Sequence, residues 1–178
     1  MAETQKKKYR FSTAWIWLTM VLAIFLVVAV ARLMQPESQE AINLKADLQS
    51  TIVEQTGKKS NMSKDRVDDI SVSRVPAGWN VELFLNADKG FTLISTQQIM
   101  WQQAIAILAS LSENNQLNDI SISWIYPVEG QNHEVRDESV MSFRLDKSTR
   151  NQLIWENVEP SLLPDIAFDY EEHPILNE

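Results

Sequence analysis

His133 and His173 are the only imidazoles in the chain, so a catalytic triad or a histidine-ligated metal would have to use one of them. Neither stands in a pattern that such chemistry requires. There is no G-x-S-x-G elbow, no S-x-x-K and no H-E-x-x-H. Gly57, Gly78, Gly90 and Gly130 are the only glycines and lie too far apart to build a phosphate-cradling loop. With no cysteine in the chain, disulfides, thiolate metal sites and cysteine nucleophiles are excluded.

Carboxylates remain. Asp68 with Asp69, and Asp137 with Glu138, are adjacent acids that could in principle do acid–base work, but at strand starts they read as solvated turn residues. Asp165, Asp169, Glu171, Glu172 and His173 fall within nine residues, and the stretch Glu156–Glu178 holds seven acids and no Lys or Arg. Hard cations favour such oxygens, yet the fixed ligand register and glycine turn of a calcium loop are missing. The stretch reads as a solvated acidic tail over 158–178 that docks Phe168 and Tyr170 or binds a basic partner. Trp79, Trp101, Trp124 and Trp155 could line a ligand pocket, but three of them fall on expected helices or strands, where core packing is the usual role. Trp155, on a short last helix, is the expected interface anchor, with Phe168 and Tyr170 beside it. The chain is therefore read as non-enzymatic, with no cofactor and no metal.

These residues must be positioned by local elements. Ala41, Leu44, Leu48 and Ile52 recur at helical spacing and stop near Gly57, predicting a first helix from about Ser38. The polar run Gly57 to Arg66 reads as a loop, and its Asn61-Met62-Ser63 matches a glycosylation sequon. Ile70 and Val72, then Val81, Leu83 and Leu85, alternate with polar residues around the turn "PAG", predicting a hairpin. A second helix is signalled by Ser95 and Gln98 in capping-box register, Ile94 and Ile99 as a staple, and the stripe Met100, Ala104, Ile107, Leu108, Leu111. Ile120, Ile122, Trp124 and Tyr126, and then Met141, Phe143 and Leu145, predict a second hairpin joined by a polar loop over 128–138. A short helix from Lys147 to about Asn157 should follow.

The echo of "DISVS" (Asp69 to Ser73) in "DISIS" (Asp119 to Ser123) makes this order two helix-strand-strand units. The expected fold is α+β, a two-layer ferredoxin-like domain in circularly permuted αββαββ order over 36–157, with four antiparallel strands and both helices on one side. Each strand has one apolar face, which leaves the other face of the sheet wet and its edges open to partners.

The N-terminus carries Lys6, Lys7, Lys8 and Arg10 and then no charge from Thr13 to Ala31. Nineteen helical residues reach roughly 28 Å, close to a hydrocarbon thickness of about 30 Å. The expectation is a basic cytoplasmic tail over 1–12, a transmembrane helix over 13–34 in the plasma (inner) membrane, and an extracytoplasmic, periplasmic domain. A cleavable signal peptide ending at "AVA" (Ala29 to Ala31) is the alternative, for which the apolar run is long. Beyond Gln35, eleven Lys and Arg stand against twenty-three Asp and Glu, a formal charge of −12. Nucleic acid is a poor partner for such a surface.

Taken together, "KKKYR" (Lys6 to Arg10), the apolar run to Met34 and the "DISVS" and "DISIS" units resemble the bitopic inner-membrane assembly-platform proteins of type II secretion and type IV pilus systems, the M-type and PilO-like subunits. Such proteins place a coiled-coil helix between membrane and domain, whereas here Ser38 to Gln55 must serve as both stalk and first domain helix. The resemblance implies a non-enzymatic, single-pass membrane scaffold of a cell-envelope complex, forming a homodimer or a heterodimer with a paralogue and contacting other envelope-complex proteins. A membrane-anchored ligand-binding or sensory domain is the alternative, and an anchored hydrolase using the acidic residues is a third reading.

Overall fold

The computed structural model describes residues 17, 18, 20–25, 37–130 and 132–177. The chain divides into two units, Met1–Ser38 and Gln39–Glu178. In the first, residues 17, 18 and 20–25 are helical. The expected membrane-spanning helix is not found: no helix among the described residues is long and apolar enough to cross a membrane. The rest of 13–34, and the basic tail, lie outside the described residues.

The second unit holds α1 (Gln39–Thr56), β1 (Val67–Val75), β2 (Gly78–Asn86), α2 (Leu93–Leu111), β3 (Leu117–Glu129), β4 (Val135–Leu145), α3 (Lys147–Gln152), α4 (Leu163–Ile166) and β5 (Phe168–Glu172). In α1 the buried residues are Ala41, Leu44, Leu48 and Ile52, the stripe read from spacing. Gly57 ends the helix at φ 83°, its N–H donating to the Val53 carbonyl at 2.9 Å, a left-handed cap that favours glycine. In α2 the capping box lies three residues upstream of the expected one: Thr92 is the N-cap and exchanges hydrogen bonds with Ser95. Ile94, the expected staple residue, is exposed.

The sheet corrects the expected fold. It has five strands in the order β1-β2-β3-β4-β5, and β2 and β3 are parallel. A permuted ferredoxin-like sheet would be antiparallel throughout. The reason lies in α2, which carries the chain back to the end where β2 began, so that β3 enters beside β2 in the same direction, Trp79 opposite Leu117 and Asn86 opposite Ile125. Consequently β1 and β3, the two echo strands, run opposite ways on either side of β2. The helix-strand-strand order repeats along the chain, but the two copies are not equivalently placed. The expected last helix is also broken: α3 ends at Gln152, and Trp155–Asn157 is a separate 3-10 turn.

Two cross-strand rows form the inner face. Ile70, Leu83, Ile122 and Phe143 make one, and Val72, Val81, Ile120 and Leu145 the next. They join Met100, Ala104, Ile107 and Leu108 of α2 and the α1 stripe in one core, which the C-terminal stretch closes with buried Leu163 and Leu176. The acidic tail is therefore part of the fold, not a solvated extension.

Candidate protein interaction surface

The helix-free face of the sheet is built from the alternate residues of the same strands. Ser71, Glu82, Ser121, Arg144 and Phe168 form one row across all five strands, and Asp69, Phe84, Ser123, Ser142 and Glu171 the next. All ten are half-buried or exposed. The echo serines thus lie away from the core, as their alternation predicts. The face is acidic: it carries Asp69, Glu82, Asp119, Asp169 and Glu171, of which Asp119 and Asp169 contact Arg144.

Arg144 organises the β4–β5 side of that face. Its Nε donates to Asp169 Oδ2 at 2.9 Å, its Nη1 lies 3.4 Å from Asp119 Oδ2, and its guanidinium sits 5.2 Å from the centre of the Phe168 ring. The Asp169 hydrogen bond is the main cause that raises the Arg144 pKa. A positive φ of 53° at Asp169 interrupts β5, where the register shifts between Ser142 and Arg144. Phe168 remains 44% exposed, the largest apolar side chain in the two rows with so open a surface.

Tyr170 has a different role from the one expected of it. Its hydroxyl accepts from Trp101 Nε1 at 2.8 Å and donates to Glu172, and its ring stacks on Phe143 at 6.3 Å. Gln97 Nε2 donates to the same Glu172 carboxylate at 2.8 Å. Burial, and then the Glu172 carboxylate, push the Tyr170 hydroxyl well above its usual pKa. It fastens β5 to α2. Trp155 is half-buried against the core, and its indole N–H is buried without a hydrogen-bond partner. Of the three expected interface residues, Phe168 alone is broadly exposed.

The other chemistry-bearing residues are dispersed. His133 pairs with Glu129 at 2.6 Å in an exposed loop, and His173 lies 3.8 Å from Glu138. Asp137 pairs with Lys64, and Asp68 and Asp69 are exposed on β1. Among the described residues, no three acidic or histidine side chains converge as a metal site would need. Trp79 and Trp124 are buried. Asn61 of the sequon is engaged on both sides of its amide, donating to the Lys89 carbonyl and accepting from the Lys89 N–H, each at 2.8 Å.

Sequence reasoning missed two buried arginines and one exposed pair. Arg66, 1% exposed, binds Asp88 at 2.7 Å and the carbonyls of Asn86, Thr56 and Lys59, and so joins α1, β1 and β2. Arg150, equally buried, donates to the carbonyls of Leu117 and Asn118 at 2.7 and 2.9 Å, behind the end of α2. Long cations on polar segments look like surface residues until their partners are known. Phe91 and Ile94 stand exposed together at the start of α2, where an exposed N-cap beside two apolar residues was the available signal.

What the fold and this surface define is a two-layer α+β domain with an acidic sheet face that none of the domain's own helices covers. No family model, no curated protein and no solved structure matches the chain.

Proposed function

We propose that the protein is a non-enzymatic scaffold subunit of a cell-envelope complex that acts through protein–protein contacts of its sheet. The observation that carries this reading is the open face: two polar rows across five strands, covered by helices on the other side only, with Phe168 exposed beside Arg144. An open sheet face with an exposed aromatic side chain and charged neighbours suits recognition of a folded partner. The acidity of the face favours a partner with a basic patch. The envelope part of the reading rests on the sequence, on Lys6 to Arg10 followed by the uncharged run Thr13 to Ala31, and on the resemblance to assembly-platform proteins.

Crosslinking of the full-length chain in intact cells, followed by identification of what it captures, tests the proposal. Capture of discrete envelope proteins, lost in Phe168→Ala and in Arg144→Glu, is the expected result. A chain that captures nothing, or whose captures ignore both substitutions, overturns it.

A ligand-binding role has one observation in its favour, a cleft of about 540 Å³ lined by Glu40, Asp47, Arg74, Trp79 and Asn114 among others. Arg74 lies 4.9 Å over the Trp79 ring there, so a small ligand entering the cleft would change tryptophan fluorescence. An unchanged emission spectrum across a panel of charged small molecules would remove this alternative.

A further inference from the structure

The cleft beside α1 is walled by three segments far apart in sequence. Glu40, Asn43 and Asp47 stand at i, i+3 and i+7 of α1 and so share one face of the helix. Arg74 at the end of β1, Trp79 at the start of β2 and Asn114 in the loop before β3 complete the lining. Main-chain contacts fix the last two segments to each other. The Trp79 N–H donates to the Gln116 carbonyl at 2.8 Å, and the Gln116 N–H donates to Asn114 Oδ1 at 3.0 Å.

The polar groups in this frame are only partly satisfied. Among the described residues the Asp47 carboxylate has no hydrogen-bond or ion-pair partner, since the Thr51 hydroxyl turns to the Asp47 backbone carbonyl instead. Arg74 meets Glu40 at 3.5 Å, with the side chains 63% and 77% exposed, and makes no hydrogen bond among the described residues. Its guanidinium lies over the Trp79 ring at 4.9 Å. Stacking uses the face of that group and leaves its in-plane N–H donors, the ones that clamp a carboxylate, available. Asn43 and Asn114 each accept at Oδ1, from Gln39 Nε2 and from the Gln116 N–H, and each keeps Nδ2 without a described partner.

Opposite charges therefore stand at two levels of one cleft. Arg74 is level with Glu40, and Asp47 lies seven residues further along α1, roughly 10 Å away along its axis. A ligand that satisfies both carries a carboxylate at one end and an ammonium at the other, with carbonyl acceptors between them for the two asparagine amides. One amino acid is too short for this, whereas three extended residues span roughly 10 Å.

We propose that the cleft binds a short peptide with both termini free, about three residues long, its carboxylate on Arg74, its ammonium on Asp47 and its carbonyls on Asn43 and Asn114. Glu40, exposed and loosely paired, gives way to the peptide carboxylate. The site is separate from the scaffold surface, because the cleft lies on the helical side of the sheet and the open face on the other.

Calorimetric titration of the full-length protein with trialanine tests the assignment. Trialanine is expected to bind, and Asp47→Asn and Arg74→Gln are each expected to weaken it at least roughly tenfold, the loss of one charge-assisted contact. Both residues are exposed, so neither substitution opens the core. Blocking the peptide asks the same question without altering the protein: N-acetyl-trialanine should bind weakly and be indifferent to Asp47→Asn, and trialanine amide should be indifferent to Arg74→Gln. Failure of trialanine to bind overturns the proposal, as does equal binding of the free and blocked peptides. Spermidine binding in place of trialanine would make the cleft a cation site and overturns it as well. Partner capture through Phe168 and Arg144 should be unchanged in Asp47→Asn and Arg74→Gln, so the scaffold reading stands or falls separately.

Discussion

Arg66 and Asp88 carry the most consequential single contact in the domain. The cation is 1% exposed and its carboxylate partner 15%, at 2.7 Å. Burial pulls the Asp88 carboxyl upward, but hydrogen bonds from the Asn61 N–H, Gln103 and Arg66 outweigh it and hold the pKa below the ordinary 3.8. A depressed carboxylate contributes stability above its unfolded value, and that contribution is lost as pH falls through the folded value. Stability of the wild-type chain should therefore fall more steeply below about pH 4 than that of Asp88→Asn, a difference that urea melts across an acid series would register. At neutral pH, Asp88→Asn leaves a buried cation unpaired and should cost about 3–5 kcal/mol. A urea midpoint within error of wild type would contradict this account of Arg66. Neither residue announced itself in the sequence. The run Gly57 to Arg66 has no hydropathy period, and a buried ion pair between positions 66 and 88 leaves no local trace.

At the scale of elements, the start of β2 and the fastening of β5 are the places where one atom decides the arrangement. Gly78 has φ 139°, and a Cβ there would lie 2.2 Å from the Gln116 carbonyl oxygen, the atom that accepts from the Trp79 N–H where β2 and β3 begin side by side. Gly78→Ala must strain the backbone or separate the parallel pair, and a loss of about 2 kcal/mol or more is expected in thermal or chemical denaturation. The two-residue turn Pro76–Ala77 read correctly from "PAG", but the approach of Gln116 was invisible, because it depends on where α2 returns the chain. For β5, Tyr170→Phe removes the acceptor of the Trp101 indole N–H and a donor to Glu172. The expected cost is about 1–2 kcal/mol. Truncation after Ala167 removes the strand and buried Leu176 together, and should lower the melting temperature well beyond the point substitution. If the truncated chain melts with the Tyr170→Phe protein, β5 is not part of the cooperative unit.

For the whole molecule, stability and assembly should separate cleanly. Arg144 is one-third exposed, and its partners Asp119 and Asp169 are at 26% and 72%, so Arg144→Ala should cost under about 1 kcal/mol in a melt. The same substitution removes the cation that sits against Phe168 and pairs with Asp119 and Asp169 on the open face, and should sharply reduce capture of partners by crosslinking. A variant that loses stability and capture in proportion would instead point to a packing role. The core substitutions discussed above should show the opposite behaviour, acting on partners only through the folded fraction.

What the sequence determined by itself is which side chains go inside. Ala41, Leu44, Leu48 and Ile52 on α1, and the alternating residues of β1 to β4 apart from half-buried Val72, are buried as their spacing requires. Periods of 3.6 and 2 are local properties, and burial follows them because each element has one apolar side. The tertiary structure decided everything that depends on which element lies beside which. Parallel and antiparallel strands have the same side-chain alternation, so the β2–β3 pairing could not be read from it. Phe168–Glu172, "FDYEE", looks like a solvated acidic stretch and becomes a strand only because β4 offers it a ladder and α2 offers Trp101 and Gln97. Strand pairing and buried polar contacts join residues distant in sequence, and their free energy exists only once the chain has brought them together.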